Sequence, residues 1–425
     1  MLHDIEPEQH GPLGPEMAAA VSTCVHCGFC LAACPTYKVL GQEADSPRGR
    51  IVLMKEVLEG SLPMETALPH LDPCLGCLAC EPACPSGVPY RDLISPFRAT
   101  AESQRRRGLG DRFKRWLTRM TLPYPSRFRL AAKTGRWVQP LAGWLPANLR
   151  VMLGLLPQQL PARQTWKPLY PAVGPQRGRV ALLTGCAQSV LEPDINTATI
   201  EVLTRNGIEV VVPRNQGCCG ALSWHVGDLS RARGFARANL DAFPGDVDAI
   251  VTNAAGCGSG MHEYPLMFKG TDQQSAAHAF SDKVCDVTVF LAGLGELEPF
   301  PESVRRLRIA YHDACHLSNA QGVRMQPRDL LRLVPGVEVC EITDPHLCCG
   351  SAGTYNIDQP EIAATLGREK VGNIISTEAD LVATGNIGCM TQLSTHLHQQ
   401  GSAIRVRHTM QVLRDAYVAA DAFAP

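Results

Sequence analysis

The sequence predicts an α+β multidomain chain: a mainly helical, cysteine-rich N-terminal domain followed by two duplicated α/β units. Three observations predict it. Cys24, Cys27, Cys30 and Cys34 before Pro35, and Cys74, Cys77, Cys80 and Cys84 before Pro85, repeat one spacing within the first hundred residues. Beyond residue 178, an apolar run ending in a cysteine, then a helix, a strand and a cysteine pair, occurs twice. The length of 425 residues suits roughly three domains, each able to bury a core.

Composition narrows the function classes. A hydrophobic content of 45% is ordinary for a globular protein, and a net charge of −1 gives no global pull toward nucleic acid, so no nucleic-acid partner is expected. The segment Met1 to Met17 carries Asp4, Glu6, Glu8, Glu16 and three prolines, without the basic and apolar regions of a signal peptide. No apolar run is long enough to span a bilayer. Eighteen cysteines without export point to metal or redox chemistry in a reducing cytoplasm.

The two N-terminal runs, C-x2-C-x2-C-x3-C-P, have the bacterial ferredoxin spacing. Three thiolates two residues apart wrap three corners of an Fe4S4 cube, and the fourth, on the segment leading away, reaches a different cube. The ligands therefore cross over: Cys24, Cys27, Cys30 and Cys84 for one [4Fe–4S] cluster, and Cys74, Cys77, Cys80 and Cys34 for the other. Gly28 and Gly76 keep the loops small, so backbone N–H groups approach the sulfurs. Structural zinc favours two separated pairs instead, and a disulfide framework requires an export signal.

Taken in order, residues 1–100 form the two-cluster ferredoxin-type domain, with a loose or helical lead-in to about residue 20. Asp45 to Arg50 reads as a turn before the periodic helix Ile51 to Glu59. Arg48 and Arg50 either neutralise cluster charge or are solvated. Residues 101–178 are a basic helical segment and a Pro-rich linker. Twelve Lys or Arg residues between 101 and 150 face only Glu102 and Asp111, with Trp116, Trp137 and Trp144 interspersed. Such a stretch suits an anionic membrane surface or an acidic partner, or else a solvated hairpin whose tryptophans face the core.

Residues 179–300 form the first α/β repeat: a strand over Val180 to Cys186, a helix over Asp194 to Asn206, a strand over Ile208 to Val212, and the loop Gly217-Cys218-Cys219-Gly220. A helix over Asp228 to Phe243 and a strand over Ala249 to Asn253 lead to Cys257. Residues 301–425 run the same way: a strand over Ile309 to Cys315, a strand over Val337 to Ile342, and Cys348-Cys349-Gly350. A helix over Glu361 to Ser376, a strand over Leu381 to Gly388 before Cys389, a strand over Ile404 to His408 and a helix over Met410 to Ala419 complete it. From single cysteine to pair the separations are 32 and 33 residues, and from pair to last cysteine 38 and 40. Such agreement indicates duplication, with mostly parallel strands and cysteines in the loops after them, where these sheets place their sites.

Each repeat offers four thiols: Cys186, Cys218, Cys219 and Cys257, then Cys315, Cys348, Cys349 and Cys389. Gly217, Gly220 and Gly350 would let adjacent cysteines converge. Further iron–sulfur centres, a thiol site near a quinone or partner, and buried structural thiols are the competing readings. Cys285 and Cys340 fall outside the pattern and read as core thiols. His225, His312, His316 and His346 lie close by, as metal ligands, proton carriers or ordinary hydrogen-bonded histidines.

The chain resembles the iron–sulfur subunits of bacterial glycolate oxidase (glycolate dehydrogenase). The resemblance rests on Cys24-Val25-His26-Cys27-Gly28-Phe29-Cys30, Pro47-Arg48-Gly49-Arg50-Ile51, Cys84-Pro85-Ser86-Gly87-Val88, Gly185-Cys186-Ala187-Gln188, the stretch His346 to Tyr355, and Asn386-Ile387-Gly388-Cys389. In that family the repeats are called CCG domains. Related architecture occurs in subunits of anaerobic glycerol-3-phosphate dehydrogenase, lactate oxidation complexes and heterodisulfide reductases. The last type ends each CCG domain in C-x-x-C, whereas Gly260 and Gln392 stand at those positions here; a five-thiolate cluster and disulfide reduction are therefore not expected.

No Gly-rich dinucleotide fingerprint follows a predicted strand, so no flavin or NAD is expected on this chain. The resemblance implies partner FAD-binding subunits that oxidise glycolate to glyoxylate, and transfer of single electrons by this subunit toward a quinone or other membrane acceptor. It implies a cytoplasmic chain associated peripherally with the inner face of the cytoplasmic membrane. The alternatives are the same role in a D-lactate or glycerol-3-phosphate dehydrogenase, and a scaffold whose clusters only hold it folded.

Overall fold

The computed structural model describes residues 1–105, 107–144, 147–157, 159–302 and 306–418. Ala419, the last residue of the expected C-terminal helix, lies outside them.

The first hundred residues are helical, as the first part of the expectation requires: α1 (Gly14–Thr23), α2 (Phe29–Ala33), α3 (Pro35–Leu40), α4 (Pro47–Leu58), α5 (Met64–Leu71) and α6 (Arg91–Gln104). The expected turn at Asp45 to Arg50 is half right. Ser46 caps α4, accepting from the Gly49 N–H at 3.0 Å, and Pro47 at the first helical position presets φ, so Pro47 to Arg50 are already helix. Met17, Val21, Met54, Leu71, Leu93 and Phe97 pack into this domain's core between the two cysteine runs.

The basic segment folds as α7 (Leu109–Thr121), α8 (Pro125–Val138) and α9 (Ala147–Gly154). Its tryptophans do not face the core. Trp116, Trp137 and Trp144 are 56%, 86% and 91% exposed, because the helices turn their other face inward, where Arg107, Arg115 and Arg119 pair with Glu102 and Lys114 pairs with Asp358.

The first repeat contains β1 (Leu169–Tyr170), β2 (Gly178–Leu182), α10 (Gln188–Leu191), α11 (Asp194–Arg205), β3 (Ile208–Val211), α12 (Ala221–His225), α13 (Leu229–Ala242) and β4 (Ala249–Thr252). It continues with α14 (Ala255–His262), α15 (Tyr264–Met267), α16 (Gln274–Ser281), β5 (Val284–Asp286) and α17 (Val287–Gly293). The second contains β6 (Leu307–Tyr311), α18 (Cys315–Ser318), α19 (Met325–Arg332), β7 (Val337–Glu341), α20 (Tyr355–Asp358), α21 (Pro360–Ile375), β8 (Leu381–Thr384), α22 (Ile387–Gln399), β9 (Arg405–His408) and α23 (Thr409–Val418).

The sheet orders are β1-β3-β2-β4-β5 and β7-β6-β8-β9, parallel throughout except for β1. Without β1 the two orders are the same. The central strands β4 and β8 are buried at every position, as parallel strands covered on both faces must be. The repeats pack reciprocally, α11 against α23 and α17 against α19, so that Val180, Leu203, Ile309, Leu331 and Leu413 share one apolar core. This exchange is what a two-fold related pair of units produces.

Two expectations need correction. Cys340 is not a core thiol: β7 is an edge strand, so Cys340 is only partly covered and faces the Glu338 carbonyl. Cys285, on β5, is also partly exposed but packs against the shared core. Cys257 and Cys389 sit in the first turns of α14 and α22, and Cys315 opens α18, so three of the repeat cysteines occupy helix starts instead of loops.

Candidate metal centres

The first cysteine loop is built on left-handed residues. His26 and Gly28 have φ of 59° and 84°, and the corresponding Gly76 and Leu78 have 64° and 58°. Two such residues two apart turn the chain tightly enough to aim three cysteines inward, at the cost of strain in His26 and Leu78. Arg48 closes over this loop, donating to the His26 carbonyl at 3.0 Å. Cys24, Cys27, Cys30 and Cys84 line one small cavity together with Cys80. Cys27 is exposed, flanked by Val25 and Phe29, which are 65% and 68% exposed.

The second loop is buried. Cys74 and Cys77 are covered, and burial together with Cys77, Cys74 and Cys34 raises the Cys80 thiol well above its ordinary value. Arg50 is 1% exposed and donates to Thr36 Oγ1 at 2.9 Å and to the His70 carbonyl at 2.7 Å. Its Nη1 lies 3.8 Å from the Cys34 sulfur, while Nη2 has no hydrogen-bond partner and is 4.0 Å from Asp45. Burial raises the Cys74 thiol, yet Arg50, Arg98 and the Gly76 N–H, which donates to its sulfur at 3.4 Å, hold it below the ordinary value. A buried guanidinium beside several thiols fits a site that carries negative charge, as a cluster held by four thiolates does.

The four thiols of each repeat converge. In the first, Cys186 and Cys218 are 3.5 Å apart, and Cys218, Cys219 and Cys257 lie near enough in turn to perturb one another's thiols; Cys315, Cys348, Cys349 and Cys389 repeat the order. The turn is made at Gly220 and Gly350, with φ of 81° and 83°, whose N–H groups donate to the Cys218 and Cys348 sulfurs at 3.5 and 3.4 Å. Gly217 does not contribute, having no left-handed φ. Neighbouring sulfur and burial push the Cys186 and Cys315 thiols well above their ordinary value, a crowding that a bound cation would reverse. All eight thiols line one cavity of about 860 Å³, also lined by Leu117, Phe128 and Leu153 of α7, α8 and α9 and by Leu156 just after α9.

The second N-terminal loop joins this centre. Cys77 shares a buried apolar cluster with Leu347, Cys348 and Leu366. Asn319 donates to the Cys77 carbonyl at 3.1 Å, the Tyr355 hydroxyl donates to the Pro73 carbonyl at 2.8 Å, and His316 Nε2 lies 3.1 Å from the Gly76 carbonyl. Sequence reasoning gave no reason to single out Asn319 or Glu263, whose roles depend on chain segments far apart.

The histidines divide. The His225 and His316 rings lie 5.1 Å apart at the cavity wall, and burial with the His225 charge lowers His316 to about 4. Glu263, 5% exposed, meets His225 and accepts from the Trp224 indole; burial raises it, but these partners hold it below the carboxylate range. His312 lies against Cys349 and Cys389. His346 stays on the surface, away from the thiols.

Fold and thiol sets together define an iron–sulfur subunit of an oxidoreductase. A 4Fe-4S dicluster domain matches residues 20–88, and a cysteine-rich domain matches residues 180–262 and again 309–394. The chain is 36% identical over 414 residues to the probable glycolate oxidase iron-sulfur subunit of Bacillus subtilis, covering 92% of this chain and 93% of that one. It is 36% identical over 411 residues to the glycolate oxidase iron-sulfur subunit of Escherichia coli, covering 94% and 95%. Lactate utilization protein A of Geobacillus kaustophilus matches at 31% over 236 residues, 55% of this chain and 98% of that one. The chain belongs to the family of glycolate oxidase iron-sulfur subunits.

Proposed function

We propose that this chain is the electron-transfer subunit of a membrane-associated glycolate oxidase complex, placed between a flavin subunit that oxidises glycolate to glyoxylate and a quinone acceptor. Cys24, Cys27, Cys30 and Cys84 hold one [4Fe–4S] cluster; Cys74, Cys77, Cys80 and Cys34 hold the other; each repeat's four thiols hold a further centre. Such clusters accept and release one electron at a time, which lets them stand between a two-electron flavin and its acceptor.

The observation that carries this reading is the shared core of the second ferredoxin loop and the second repeat's cysteine loop, where Cys77 and Cys348 pack together. The chain's contribution is position. Cys27, with Val25 and Phe29 exposed beside it, offers an outer end for the flavin subunit, and Arg50 supplies positive charge to the buried end. The apolar roof over the thiols suits a quinone ring. Among the described residues no helix is long and apolar enough to cross a membrane. The outward stripe Leu109, Phe113 and Trp116, continued by Leu130 and Trp137 with Arg112, Arg127 and Lys133 beside it, suits the interface of an anionic bilayer.

Cys27→Ser tests the proposal. In the assembled complex it is expected to remove one cluster's EPR signal and glycolate-linked quinone reduction while the partner keeps its flavin. Undiminished turnover without that signal would refute the assignment.

A further inference from the structure

The repeats carry the same four thiols but differ three residues before the first of them. Leu183, at the end of β2, stands where His312 stands at the end of β6. Leu183 is 2% exposed and packs among apolar residues with Cys218 and Cys219. His312 is 1% exposed, and neither ring nitrogen has a hydrogen-bond partner. An imidazole left so has lost its hydrogen bonds to water without replacement. One of its nitrogens, the Cys349 sulfur and the Cys389 sulfur all lie within 4.8 Å of one another, and all three residues are buried.

Strand pairing explains the convergence. Tyr311 of β6 sits beside Ala383 of β8, so the next residues, His312 and Thr384, fall on the other face of the sheet. That face carries Ala310 and Val382, which share their core with Cys349 and Cys389. The Thr384 hydroxyl is also unpartnered. The first repeat has a matching threonine, Thr252, but no histidine, so the asymmetry lies in His312 alone.

We propose that His312 is a nitrogen ligand to an iron centre in the second repeat, joining Cys349 and Cys389, while the centre of the first repeat is held by thiolates only. This rests on the reading that the repeats hold iron–sulfur centres. With His312 the second repeat offers five candidate donors without a C-x-x-C cysteine, and the imidazole takes the place of one of the four thiolates on the iron. A neutral imidazole in place of a thiolate makes a site less negative and raises its reduction potential, as in centres where histidines replace cysteines. The repeat that touches the second ferredoxin loop is then the stronger electron acceptor of the two.

The test uses the full chain, purified anaerobically with natural and with 15N-labelled histidine and examined by pulsed EPR during a redox titration, with metal analysis alongside. A strongly coupled nitrogen that changes with the label, disappears in His312→Leu and persists in His316→Gln supports the assignment. His312→Cys keeps a donor and is expected to retain iron, lose the coupling and lower one midpoint potential. Should His312→Leu fail to fold, the label effect in the unmutated chain and the His312→Cys potential decide. Repeat-bound iron whose signals carry no histidine coupling and are unchanged in His312→Leu would overturn the proposal and leave the repeats as iron sites. Iron limited to about eight per chain would overturn the underlying reading as well. Stoichiometric zinc released by His312→Leu would replace the redox role with a closed structural site.

Discussion

Arg50 shows what one residue contributes. Its guanidinium is buried between Cys34, Thr36 and His70, and a positive charge there favours the reduced, more negative state of whatever the thiols hold. At about 7 Å and an effective dielectric near 20 the interaction is on the order of 2 kcal/mol, roughly 100 mV for one electron. Arg50→Met is expected to lower one ferredoxin midpoint potential by about that amount in an EPR-monitored titration, and Arg50→Lys to restore part of it. His408 makes a second residue-scale prediction. Its Nδ1 accepts from the Met410 N–H at 3.1 Å and its Nε2 lies 2.8 Å from the Asn253 carbonyl of the other repeat. Burial lowers it to about 4 from 6.5. The folded state thus favours neutral His408, a contribution present above pH 6.5 and lost as pH falls toward 4. Between pH 6.5 and 5 the loss is about 2 kcal/mol; denaturant unfolding of His408→Gln is expected to show that much less dependence on pH.

At the scale of elements, the cysteine-pair turns separate necessary from incidental glycines. A Cβ at Gly350 would lie 2.5 Å from the Ala363 carbonyl oxygen on top of a φ of 83°, whereas Gly217 has open space. Gly350→Ala is expected to cost about 2 kcal/mol or more and to reduce the iron held, with Gly217→Ala nearly neutral in both thermal melts and iron content. The outward face of α7 and α8 makes a different prediction: Trp116→Glu with Trp137→Glu weakens sedimentation with phosphatidylglycerol vesicles by at least about tenfold, since each loses an interfacial anchor. Both sets of elements were readable in part. The strand and helix order of the repeats was legible because their apolar runs and turn residues are local signals. The helix α14 was not, for Ala255 to Gly260 is glycine-rich, a weak helical signal, and it packs closely: a Cβ on Gly260 would sit 2.3 Å from Ala221 Cβ. The tryptophans' direction depends on which face Glu102 and Asp358 attract, and no periodicity within the segment encodes that.

For the whole molecule, the helical first domain and the duplicated α/β architecture were legible because duplication leaves matching intervals in the chain. The approach of the thiol sets was not, since it arises from reciprocal packing of α11 on α23 and α17 on α19 and from the seating of the Cys77 loop against Leu347 and Cys348. The difference between Leu183 and His312 was visible as letters but meant little until β6 and β8 were paired. On the proposed function, electrons follow a continuous route from the exposed Cys27 loop to the thiols of the repeats. Iron and acid-labile sulfide per chain, measured on anaerobically purified protein and paired with EPR after reduction, test it most directly. More than eight irons are expected, about twelve to sixteen, with magnetic interaction between a ferredoxin cluster and a repeat-bound centre; about eight irons and only two interacting cubane signals would mean that the route stops at the ferredoxin domain.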